Sequence, residues 1–77
     1  MRIMSLKGVV KRTGNKYKLV KSTYDIDSAW QYIKIQRIDC KHLTDEAFKD
    51  LYRVVTRARV PQGDVWVDVV TDKIIEV

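Results

Sequence analysis

The sequence has few of the residues that staple, bend or loop a chain. It has one cysteine, Cys40, one proline, Pro61, and three glycines that stand far apart, Gly8, Gly14 and Gly63. A lone cysteine makes no internal disulfide, so a reducing, cytoplasmic location is the expectation. Isolated glycines exclude a glycine-rich phosphate loop. No apolar run approaches the ~20 residues that span a bilayer, and no signal-peptide core follows the start, so no membrane association is expected. Histidine is as scarce, with one residue. His42 and Cys40 are the only soft metal ligands, and a structural zinc site wants a second pair, so no metal and no cofactor are expected. The same two residues make a poor nucleophile and base, because no third group orients the imidazole. A ribonuclease-like use of His42 with nearby cations needs nothing that other basic proteins lack. Asp25 and Asp27 suit turns or caps better than acid–base chemistry. The chain reads as non-enzymatic.

What is abundant is charge of one sign in one place. The net charge is +5 over 77 residues, a single small domain that buries only ~60% of its unfolded surface. Residues 1–22 carry seven cations and no acid, whereas residues 61–77 carry one cation and four acids. Such polarity marks either a binding surface or two strands that neutralise each other across a sheet.

The segment 44–60, TDEAFKDLYRVVTRARV, has the clearest pattern. Thr44 can cap a helix, Asp45 and Glu46 suit its first turn, and Phe48, Leu51, Val55 and Ala58 recur at helical spacing. Pro61 ends it, so one helix over 44–60 is expected. Residues 3–22 read as a β-hairpin turning at Thr13-Gly14-Asn15, with Gly8 marking a bulge or a close approach. Residues 30–39, WQYIKIQRID, fit both periods. A helix starting near Asp25 or Asp27 is open, but Trp, Tyr and three Ile favour a strand. Residues 64–70 alternate cleanly, Thr71-Asp72-Lys73 turns the chain, and 74–77 form a last strand. The expected fold is α+β: a small twisted antiparallel sheet, in the order β-β-β-α-β-β, with one helix on one face. No motif singles out a family.

Two functional readings follow. The first is a small basic nucleic-acid-binding or regulatory module that grips DNA or RNA phosphates. Its cations would be Lys7, Lys11, Arg12, Lys16, Lys18 and Lys21 on the hairpin, with Tyr17 to stack. Lys49, Arg53 and Arg57 would add one helical ridge at i, i+4 and i+8. The second is a protein-interaction module, a homodimer or the partner of an acidic protein, built on Trp66, Ile75 and Val77 at an exposed sheet edge. Trp30, Tyr32, Phe48 and Tyr52 are expected in the core.

Overall fold

In the computed structural model, which describes residues 6–76, the chain opens with a hairpin of β1 (Lys7–Thr13) and β2 (Lys16–Thr23). Gly14 at the turn has φ 65°, a left-handed conformation that suits glycine. Val9 pairs with Lys21 and Val10 with Leu19, which leaves Val20 as the extra residue of a bulge. The extra residue shifts the alternation of β2 by one position beyond Leu19. The first residues of the expected 3–22 hairpin lie outside the described residues.

Two helices follow. Helix α1 (Ile26–Asp39) is capped by Asp25, whose carboxylate accepts from the Ser28 amide at 2.7 Å. That bond, seconded by the Ser28 side chain, holds the Asp25 carboxyl below its usual range. The expected strand over 30–39 is therefore corrected to helix. A capping aspartate and apolar residues at Ile26, Ala29 and Ile33 outweigh the β preference of the local composition. Helix α2 (Asp45–Leu51) starts where expected, with Thr44 Oγ1 accepting from the Ala47 amide at 3.1 Å. It ends early. From Tyr52 the chain runs as β3 (Tyr52–Val60), so the expected helix over 44–60 is half helix and half strand.

The reason lies in where β3 goes. It pairs with β1 over 52–56 and with β4 (Gly63–Asp68) over 55–60, which makes it the central strand. Val54 and Val55 are both fully buried, one on each face of the sheet. A strand in the middle of a sheet buries consecutive residues, and β-branched ones pack there best. After β4 the chain turns through Asp72, at φ 58°, into the two-residue β5 (Ile74–Ile75). The sheet order is β2-β1-β3-β4-β5, antiparallel throughout, so the α+β class with an antiparallel sheet is as expected.

The helices lie on one side only. There Val9, Tyr52 and Val54 meet Ala29 and Phe48, with Tyr32, Ile33 and Leu51 at the margin. Helix α1 packs on β1, β2 and β3, and neither helix packs substantially on β4 or β5. No helix among the described residues is long and apolar enough to cross a membrane.

The opposite face has no helix and covers itself. A Cβ on Gly8 would lie 2.7 Å from Leu19 Cδ1, 2.9 Å from the Lys21 carbonyl and 3.6 Å from Trp66 Cζ3. Leu19 and Trp66 thus close over Gly8, beside the fully buried Val10 and Val55. Gly8 marks a close approach. Gly8→Ala should cost about 1–3 kcal/mol in urea unfolding, since the backbone carbonyl of Lys21 cannot move aside as a side chain could. A loss below a few tenths would mean the Leu19–Trp66 cover is loose.

Candidate functional surfaces

The expected ridge of Lys49, Arg53 and Arg57 does not exist, because Lys49 is on α2 and both arginines are on β3. On a strand, Arg53, Arg57 and Arg59 share the helix-free face by the two-residue period. Each has an acid to meet. Arg53 Nη1 lies 2.5 Å from Asp68 Oδ2, and Arg53 Nη2 lies 3.6 Å from Asp50 Oδ1. Arg57 and Arg59 flank Asp64 at 3.8 and 3.9 Å. Arg12, from the hairpin, pairs with Asp50 as well.

Arg53 is the hub of this set. Its guanidinium stacks on Tyr17 at 5.1 Å from the ring centre, and Tyr17 in turn donates to the Asp50 carbonyl at 3.0 Å. The hydrogen bond to Asp68 raises the Arg53 pKa above its already high value, against the opposing effect of burial. Asp68 is fully buried, and its second oxygen accepts from the Val70 amide at 2.9 Å and the Thr71 amide at 3.3 Å. A carboxylate with this many donors holds β3, β4 and the turn to β5 together.

The lysines behave differently. Lys7 donates to Thr56 Oγ1 at 3.0 Å and is half-buried. Lys11 lies over the Tyr52 ring at 5.6 Å, which puts it on the helix side of the sheet. Lys18 stands directly opposite Lys11, and Lys16 opposite Thr13, so both share that side. Lys21, opposite Val9, joins them on the far side of the bulge. Lys11, Lys16, Lys18 and Lys21 are exposed, and among the described residues none lies within salt-bridge distance of an acid. Like charges directly opposed across two strands repel. The two-residue period along each strand puts Lys7 with Lys11 and Lys16 with Lys18, but sequence periodicity does not relate one strand to the other. It could not show that Lys11 and Lys18 meet, which the turn at Gly14 sets, or that Lys21 joins them, which depends on the bulge.

The expected interface residues separate. Trp66 is half-buried under the Leu19 cover, with Ile75 beside it in the register. Val77 lies outside the described residues. A cleft of about 370 Å³ opens instead between the helices and the β4–β5 turn, walled by Trp30, Ile33, Phe48, Val54 and Val70. Sequence reasoning missed it, because it exists only where β4 stops short of the start of β3. Cys40 caps α1, His42 is exposed, and no cluster of metal-ligating side chains is found among the described residues. Compared with protein-family models, curated proteins and solved structures, the chain matches none.

The two classes of cation should respond differently to removal. Asp68→Ala strips the partner from a mostly buried guanidinium and two amides, and should cost about 3–5 kcal/mol in denaturant unfolding. Arg57→Ala removes only a loose, exposed pair and should cost less than about 1 kcal/mol. Equal effects would show that Asp68 is not a structural centre.

Proposed function

We propose that the chain is a polyanion-binding module that grips nucleic-acid phosphates, DNA or RNA, with the β1–β2 hairpin. The observation that carries this reading is the opposed pair Lys11 and Lys18, flanked by Lys16 and Lys21 on the same side. Two ammonium groups held across a ladder without an acid are at a cost in the isolated protein. A phosphate between them turns that repulsion into attraction and releases counterions from the nucleic acid. The arginines contribute less, because Arg12, Arg53 and Arg57 already face carboxylates. Lys7 is engaged with Thr56, and Lys49, exposed on α2, lies by the cleft. The site is thus the hairpin lysines rather than the whole basic set. Contacts to phosphate alone carry no base preference, so binding is expected to be insensitive to sequence.

Fluorescence anisotropy with a labelled duplex and a labelled single strand of RNA tests this. If four lysines meet phosphates, log K should fall against log salt with a slope of about −3 to −4 on duplex DNA. Lys11→Glu with Lys18→Glu should weaken binding at least about tenfold and flatten that slope. Binding that ignores salt, or that falls further with Arg57→Glu than with the lysine pair, would reject the hairpin as the site.

A further inference from the structure

Of the aromatic residues, Tyr24 alone is mostly exposed: 72% of it is open, against 38% for Trp30, the next in order. Tyr32, Phe48 and Tyr52 are in or against the core, and Trp66 covers Gly8. Tyr17, the ring that the sequence offers for stacking, is occupied. The Arg53 guanidinium lies on it, and its hydroxyl donates to the Asp50 carbonyl. Tyr24 follows β2 directly, at the end of the row formed by Lys16, Lys18 and Lys21. Lys21 belongs to that row because of Val20. Without the extra residue of the bulge, the two-residue period would turn Lys21 to the other face. At ~3.3 Å per residue, the row from Lys16 to Tyr24 is about 26 Å long. It follows an edge of the sheet, and no residue from Lys7 to Tyr24 is acidic. Acids resume at Asp25, which caps α1, and Asp27. Phosphate is repelled there, so this end of the row suits a base.

Taking the hairpin lysines as the phosphate site proposed above, we infer that the ligand is a single strand of nucleic acid. It runs along β2 with its phosphates on Lys16, Lys18 and Lys21 and one unstacked base on the Tyr24 ring. A duplex keeps its bases stacked and paired inside, so a ring beside the phosphate row meets none of them. In a single strand the bases splay out and stack on aromatic side chains, and every base has a face to offer. An exposed tyrosine presents such a ring while its hydroxyl stays in water. Neither a phosphate contact nor a stacked base reports the ribose 2′-hydroxyl, so DNA and RNA strands both serve.

The test uses a labelled single strand of about twelve nucleotides, as DNA and as RNA, and the DNA duplex of the same sequence. Measured by fluorescence anisotropy at physiological salt, both single strands should bind more tightly than the duplex. Tyr24→Ala should weaken both single strands at least about fivefold and leave the duplex within about twofold. It should not alter the salt slope, since no charge is removed. Tyr24→Phe keeps the ring and should bind as the unaltered chain does. A circular dichroism spectrum identical to the unaltered chain's is expected for both variants, because the residue is exposed. A second readout needs no substitution. A bound strand carrying 5-iodouridine should cross-link to Tyr24 on irradiation, as read by peptide mass spectrometry. If Lys11→Glu with Lys18→Glu weakens the single strands and Tyr24→Ala does not, the lysine site stands and Tyr24 is not the stacking ring. If the lysine pair has no effect, the hairpin is not the phosphate site and the single-strand track falls with it. Equal weakening of strand and duplex by Tyr24→Ala, or a duplex bound as tightly as the single strands, also overturns the proposal.

Discussion

The carboxylate of Asp68 is the point on which this small sheet depends. It is fully buried at the end of β4, and a charge there is tolerable only with donors on every side. Arg53 supplies the countercharge from β3, and the Val70 and Thr71 amides fold the following turn around it. Arg53 then reaches Asp50 at the end of α2 and stacks on Tyr17 of the hairpin. One ion pair therefore ties together four parts of the chain that are distant in sequence. A domain of this size has little core with which to do the same.

That network divides the cations by role. The arginines of the helix-free face are held by acids, as suits a planar, multidentate side chain with several partners. The hairpin lysines remain exposed, and Lys16, Lys18 and Lys21 lie on β2, an edge of the sheet. Lysine there also discourages another chain from pairing with that edge. The opposite edge strand, β5, is only two residues long and is flanked by the exposed Lys73 and Glu76. The polarity of charge along the sequence thus becomes a polarity across the sheet, with the lysines of β2 at one edge and the exposed acids Asp72 and Glu76 beside β5 at the other.

Much of this was legible in the residues, and the failures are physical. The N-terminus of α2 is read correctly from Thr44, Asp45 and Glu46, because capping is a local matter. Its end is misread because YRVVTRARV satisfies a helical period and a strand period alike. Only the pairing of β3 with both β1 and β4 decides between them. In 26–39 the error runs the other way. Trp30, Tyr32 and three isoleucines suggest a strand, but Ile35 and Ile38 are exposed on the outside of a helix. A helix with apolar residues all round shows no clean face to sequence inspection. The basic surface was visible in composition, but its division was not. Which cations meet acids depends on contacts between residues such as Arg12 and Asp50, 38 positions apart.

The proposed division of labour, in which arginines hold the sheet and the hairpin lysines meet phosphate, is open to direct test. Amide chemical-shift mapping during titration with a short duplex at low salt tests it residue by residue. The saturable shifts should concentrate at Lys11, Lys16, Lys18 and Lys21, while Arg53, Arg57 and Arg59 stay near their starting positions. Saturable shifts centred on the β3–β4 arginines, with the hairpin lysines unmoved, would contradict it.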